Sequence, residues 1–108
     1  MDIQSVQQLV MENKRNKGFN ITDVPLELCL LQGEVGEFFQ AWRRQQADTG
    51  EELADIAIYV FGLAGIIGVD LQEEVHRKIH KNAGRRYERR NGVPVRIAEA
   101  DAVASPSG

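Results

Sequence analysis

The sequence predicts an all-α protein, a bundle of four to five helices that is completed by homo-oligomerisation. Apolar residues recur at helical spacing through most of the chain, and Gly, Pro and Asp separate the periodic segments. No segment alternates apolar and polar residues strongly enough to predict a strand. The chain has 108 residues, of which 43% are hydrophobic and 27% charged, as in a single soluble globular domain.

The first two helices are defined by their apolar stripes. Apolar residues at helical spacing predict a first helix over residues 3–16. A polar loop follows, and Pro25 suits the first turn of a second helix. The stripe of this helix consists of Leu28, Leu31, Val35, Phe38 and Trp42. The second helix carries Glu34 and Glu37, and the third helix carries Glu52 and Asp55. For these acids to lie at the same height, the second helix must stop near Arg44 or cross the third helix at an angle.

The third helix is predicted from Asp48 or Thr49, either of which can cap it, to Ile67. Its segment IAIYVFGLAGIIGV is apolar on every side, and such a helix must be surrounded by protein. Three other helices of one chain can hardly enclose it, so we expect a subunit interface. The small residues that would allow close helix approach there are Gly62, Ala64 and Gly65. The alternative is that they serve tight packing within one subunit.

The last part of the chain is predicted as a helix followed by a tail. Asp70 can cap a fourth helix that reaches Tyr87 or beyond, with a bend at Gly84. The residues after this helix are small, mixed and interrupted by proline. We therefore place one domain over residues 1–91 and a flexible C-terminal tail over residues 92–108.

Composition predicts the cellular compartment of the protein and which classes of partner are unfavourable. The lone Cys29 excludes an intrachain disulfide and fits a reducing compartment. The start of the chain does not resemble a signal peptide. The longest uncharged run, Ile56 to Val69, has 14 residues, whereas a membrane span needs about 20. These features predict a cytoplasmic protein that does not span a membrane. The net charge of −3 argues against a nucleic-acid partner, so nucleic-acid binding by the Arg-rich end of the fourth helix is only a weaker alternative.

Four acids lie in segments that otherwise look buried. Glu34 and Glu37 are three residues apart, as are Glu52 and Asp55, and residues three apart share a helix face. Burying these negative charges together is unfavourable unless something compensates them, and a bound cation is the simplest compensation. An all-oxygen ligand set favours Mg²⁺, with Mn²⁺ as a possible substitute. The alternative is a solvated charged face with incidental spacing.

A basic strip in the fourth helix suggests a phosphate ligand. Lys78, Asn82, Arg85 and Arg89 step by four, three and four, which would align them on one face of a helix. Cationic groups and an amide on one face can bind phosphate oxygens. The alternative is a solvated basic face. Together with the acids, this strip predicts a metal-bound polyphosphate as ligand. Trp42 is either a core residue or a base-stacking residue at the pocket edge.

The motifs EVGE, EELAD before an apolar helix, and KIHKNAGR occur in this order and resemble those of MazG-type nucleoside triphosphate pyrophosphohydrolases. The resemblance covers about residues 18–90. It implies a MazG-like all-α bundle that forms a homodimer or homotetramer. It also implies Mg²⁺-dependent hydrolysis of nucleoside triphosphates, or related nucleotides, between the α- and β-phosphates. The products would be a nucleoside monophosphate and pyrophosphate, as in nucleotide-pool house-cleaning.

The resemblance also implies roles for individual residues. The implied metal ligands are Glu34, Glu37, Glu52 and Asp55, and the implied phosphate contacts are Lys78, Asn82 and Arg85. Either Glu34 or Glu37 would accept the proton of the attacking water as the catalytic base. Many members of the family carry a further glutamate where Gly33 stands here. The alternative function is therefore a catalytically silent nucleotide- or metal-binding interaction module.

Overall fold

The computed structural model describes residues 1–99, with four α-helices followed by a two-stranded sheet. The helices are α1 (Ile3–Lys17), α2 (Val24–Arg43), α3 (Thr49–Ile67) and α4 (Leu71–Ala83), and the strands are β1 (Arg85–Arg90) and β2 (Val93–Glu99). The chain divides into two compact units, the first ending at Leu71 and the second beginning at Gln72. The prediction of a mainly helical protein with four helices is confirmed.

The ends of the first three helices follow the signals in the sequence. The side chain of Asp2 caps α1 by accepting a hydrogen bond of 2.8 Å from the Ser5 amide. Asp23 caps α2 in the same way. Gly18 and Gly68 follow α1 and α3 in the left-handed conformation that glycine adopts without strain. These caps mark the starts of α1 and α2 and the ends of α1 and α3. Asp48 is the N-cap residue of α3, as predicted, but its side chain makes no capping hydrogen bond.

Within the first unit, α3 packs against both α1 and α2. Two glycines of α3 let α1 approach closely. A Cβ atom at Gly62 would lie 2.8 Å from Cε of Lys14, and one at Gly65 would collide with Met11. Gly62 and Gly65 therefore serve packing within the chain, which was the alternative to their use at a subunit interface.

Much of the apolar surface of α2 and α3 remains exposed in the single chain. Large apolar side chains that are more than a third exposed there include Val35, Phe39, Trp42, Leu53, Ile58 and Ile67. Residues 1–99 of one chain therefore leave α3 partly uncovered, in agreement with the expectation that one chain can hardly enclose this apolar helix. Within residues 1–99, no single helix is both long and apolar enough to cross a membrane.

The secondary-structure prediction is wrong after Ala83. The fourth helix ends there instead of reaching Tyr87, and β1 pairs with β2 in an antiparallel hairpin. Asn91 and Gly92 form its two-residue turn, both with positive φ, as a type I′ turn requires. Residues 93–99 of the predicted tail are therefore a strand. The rest of that tail, 100–108, lies outside the described residues, and the domain boundary at residue 91 stays a prediction.

Candidate metal site

The turn between α2 and α3 brings acids of the two helices together. The second helix ends with its cap at Arg44, as predicted, and α3 begins after a short turn. One carboxylate oxygen from each of Glu34, Glu37 and Glu52 lies within 4.8 Å of the other two. We call these three residues the acidic cluster.

Two members of the acidic cluster are poorly solvated. Glu34 and Glu52 are half-buried, whereas Glu37 is exposed. The Oε2 atoms of Glu34 and Glu52 are buried and have no hydrogen-bond partner within the described chain. Buried carboxylate oxygens are normally hydrogen-bonded, and leaving them unpaired is costly. A ligand that accepts their lone pairs would therefore stabilise the cluster.

The pKa values of the cluster reflect this environment. Burial raises the pKa of Glu34 from its usual 4.5 to about 6, assisted by a hydrogen bond with Glu37 and by repulsion from the neighbouring carboxylates. Burial, followed by the negative charge of Glu37, also raises the pKa of Glu52. Asp55 contributes to both shifts, so its charge lies close to the cluster. Asp55 itself is exposed and is not among the three residues whose oxygens converge.

The acidic cluster fits a hard divalent cation. Magnesium binds oxygen at about 2.0–2.1 Å, so ligands on opposite sides of the ion lie about 4.2 Å apart. The three oxygens lie within 4.8 Å of one another, close to the separations found between ligands of one ion. Carboxylates from two helices would occupy part of an octahedral shell and leave positions for water and phosphate oxygens.

An open groove of about 550 Å³ lies beside the cluster. Its lining residues are Gly33, Gly36, Glu37, Gln40, Gln46 and Glu52. A Cβ atom at Gly33 or Gly36 would meet no described atom within 4 Å. The glycine backbone of α2 therefore forms an accessible wall, with space for a polar ligand next to the carboxylates.

The predicted phosphate-binding residues belong to the second unit. Lys78 and Asn82 are exposed on α4. Arg85 and Arg89 lie on β1, because the helix ends at Ala83, so the four residues do not form one helical strip. That part of the prediction is wrong. Their role in phosphate binding stays a prediction.

The predicted base-stacking residue lies near the end of α2. Trp42 is 62% exposed, and its ring centroid is 6.3 Å from that of Phe39. It is therefore not a core residue within the single chain. Its exposure leaves a ring face available, while its stacking role stays a prediction.

A buried ion pair in the first unit was missed by the sequence analysis. Nζ of Lys14 on α1 lies 2.8 Å from Oε1 of Glu27 on α2, and the residues are only 7% and 1% exposed. Lys14 also donates to the backbone oxygen of Asn20 in the connecting loop. One sequence feature could have predicted that Lys14 is buried. It lies three residues after Met11, on the apolar face of α1.

A second concave surface adjoins this ion pair. The apolar cavity has a volume of about 350 Å³, and Lys14, Phe19 and Tyr59 are among its lining residues. Burial, followed by the charges of Glu34 and Glu27, raises the pKa of Tyr59. The half-buried phenol thus lies in the field of both the acidic cluster and the buried pair.

The raised pKa of Glu34 predicts how the stability of the metal-free protein depends on pH. Between pH 4.5 and about 6 the folded state binds more protons than the unfolded state, so stability falls as pH rises through this range. In chelator, we expect the wild type to melt a few degrees higher at pH 5 than at pH 7.5. Glu34→Gln should reduce this difference, whereas Glu12→Gln on the exposed surface should not. An unchanged difference in Glu34→Gln would contradict the assignment.

The fold and the site define a helical protein with a carboxylate cluster suited to a divalent metal. A model of the MazG-like family matches residues 25–93, well over half of the chain, and the chain therefore belongs to the MazG-like family. The match includes both helices of the acidic cluster, and the family suggests a function of the nucleotide pyrophosphatase type. No curated protein and no solved structure shows significant similarity to the chain.

Proposed function

We propose that the protein is a Mg²⁺-dependent nucleotide pyrophosphohydrolase. It hydrolyses nucleoside triphosphates, or related nucleotides, between the α- and β-phosphates and releases a monophosphate and pyrophosphate. The observation that carries this proposal is the convergence of Glu34, Glu37 and Glu52, two of which have buried oxygens without a partner in the described chain. Membership of the MazG-like family supports the same activity.

The acids have distinct roles in this proposal. Glu34, Glu37, Glu52 and Asp55 hold the metal, with Mn²⁺ as a possible substitute for Mg²⁺. When bound, the ion supplies Lewis acidity to the phosphates and lowers the pKa of a water molecule. Glu34 and Glu37 remain the candidates for the base that accepts the proton of this water. Of the two, Glu37 lines the open groove and is the better placed for solvent access.

In the proposal, polar and charged side chains bind the phosphates of the substrate and an aromatic side chain stacks on its base. Lys78, Asn82 and Arg85 bind the phosphates and balance the negative charge that develops on the leaving pyrophosphate. Trp42 stacks on the base. We further propose a cytoplasmic homodimer or homotetramer, in which a second chain covers the exposed apolar surface of α2 and α3.

The activity can be tested with a panel of ribo- and deoxyribonucleoside triphosphates. Each is incubated with the full chain and Mg²⁺, and the release of pyrophosphate and of orthophosphate is measured separately. We expect pyrophosphate from at least one substrate and none after addition of chelator. Release of orthophosphate alone would overturn the proposal. Saturable Mg²⁺-dependent nucleotide binding without turnover would establish the alternative, a catalytically silent binding module.

Gly33 offers a direct test of the one departure from the family motif. Position 33 lies four residues before Glu37 on α2, and a side chain there would meet no described atom within 4 Å. We expect Gly33→Glu to fold, and to lower the Mg²⁺ concentration for half-maximal activity by adding a carboxylate beside the groove. Gly33→Ala is the matched control. Gly33→Ala should gain about 0.5–1 kcal/mol of stability from the loss of a helical glycine, as Gly33→Glu does. It should not lower the Mg²⁺ concentration for half-maximal activity. A Mg²⁺ requirement identical in the two variants would contradict this prediction.

A further inference from the structure

The charges of the chain are unevenly divided between its two units. Residues 1–71 hold eleven of the sixteen acids but only five of the thirteen Lys and Arg residues. The stretch from Arg77 to Arg96 holds the other eight basic residues and a single acid, Glu88. The net charge of −3, which argued against a nucleic-acid partner, therefore hides a strongly basic segment.

The hairpin that ends this basic segment has two faces, and its register shows which residues lie on each face. Tyr87 pairs with Arg96 and Arg89 with Pro94, and paired residues project to the same face of a sheet. We call these four residues the basic face. The opposite face carries Glu88 and Arg90, which pair with Val95 and Val93 and form an ion pair of 3.0 Å with each other.

The basic face combines two guanidinium groups with one aromatic ring. Tyr87 is 56% exposed, and Arg89 and Arg96 are exposed as well. The single acid of residues 85–97, Glu88, lies on the opposite face. Successive side chains on one face of a strand are about 6.6 Å apart, so Tyr87 and Arg89 present a ring and a cation side by side.

We propose that the basic face binds single-stranded nucleic acid. Guanidinium groups bind phosphate oxygens, and an exposed aromatic ring beside them can stack on an unpaired base. A base within a duplex does not offer its face to such a ring, so the arrangement favours a single strand. The surface is small, so binding is weak and independent of sequence. This activity is separate from the acidic cluster and does not depend on it.

Fluorescence anisotropy of the full chain with labelled 12-nucleotide oligo(dT) and oligo(U) tests the proposal. We expect dissociation constants of about 1–100 µM at physiological salt, and tighter binding at low salt. Arg89→Gln and Arg96→Gln should each weaken binding several-fold and reduce the slope of log K against log salt by about 0.7. Arg90→Gln is the matched control, since it removes the same charge from the opposite face, and it should change the affinity less than twofold.

The tyrosine provides a test that does not depend on charge. Loss of base stacking in Tyr87→Ala should weaken binding about five- to hundredfold, whereas Tyr87→Phe, which keeps the ring, should bind normally. Glu52→Gln should bind oligonucleotides as well as the wild type does. Equal losses in Arg89→Gln and Arg90→Gln, or no binding at low salt, would overturn the proposal. So would loss of binding in Glu52→Gln, or tighter binding to phosphatidylserine vesicles that depends on the same residues.

Discussion

Glu52→Gln is expected to reduce Mg²⁺-dependent pyrophosphate release by about a thousandfold or more, the equivalent of about 4 kcal/mol of transition-state stabilisation. Glu52 is half-buried, its Oε2 has no partner in the described chain, and it is the one member of the acidic cluster that α3 contributes. The neutral amide keeps the shape of the side chain but removes the charge that the proposed metal ligand would supply.

The stability of the same variant distinguishes a metal ligand from a structural acid. Without metal, Glu52→Gln should melt at the temperature of the wild type or above it, because one of several mutually repelling charges is removed. It should also lose the increase in melting temperature that Mg²⁺ gives the wild type. Thermal melts in chelator and in Mg²⁺ measure both effects.

Glu51 supplies the control for Glu52. It is the adjacent residue on α3, it is exposed, and it does not belong to the acidic cluster. Glu51→Gln should therefore keep its activity and its stabilisation by Mg²⁺. Full turnover in Glu52→Gln, or an equal loss in both variants, would contradict the proposed metal site.

The first three helices and all three members of the acidic cluster were predictable from the sequence because their signals are local. Apolar periodicity, Pro25 in the first turn of α2 and Gly68 after α3 set the helix limits to within a residue or two. Once α2 and α3 are joined by a short turn, the spacing of their acids determines which carboxylates meet. Asp55 was grouped with the others by the same spacing, but how far its side chain projects toward them depends on packing, which the sequence does not reveal.

The C-terminal hairpin was harder to predict because its strands do not alternate apolar and polar residues. Arginine favours helices, so the run before Asn91 continues the pattern of α4. The one strong signal was the pair Asn91–Gly92, which favours a two-residue hairpin turn between adjoining strands. Gly84, read as a bend within a longer helix, lies between the end of α4 and the start of β1.

The buried pair of Lys14 and Glu27 depends on tertiary contacts that no local pattern specifies. Lys14 lies against Gly62 of α3 and reaches Glu27 on α2, so one side chain links three helices. Each residue taken alone resembles an ordinary surface charge, since Lys and Glu are rarely fully buried unless they are paired. Their burial follows from the close approach of α1 to the glycines of α3.

Lys14→Met is expected to destabilise the protein by about 3–5 kcal/mol, because it leaves the carboxylate of Glu27 buried without its cation. For a domain of this size, such a loss lowers the melting temperature by about 15 °C or more. Lys17→Met, a change of the same kind at an exposed position of α1, should shift the melting temperature by no more than a few degrees.

The double variant Lys14→Met/Glu27→Leu separates the cost of an unpaired charge from the value of the pair itself. Replacing a buried ion pair with apolar side chains of similar volume is often neutral or stabilising. We therefore expect the double variant to recover most of the stability that Lys14→Met loses, which gives a large coupling energy in a double-mutant cycle. Additive losses in the double variant would show that the two side chains act independently and would contradict the buried pair. Recovery would instead show that the buried acid at position 27 requires its lysine.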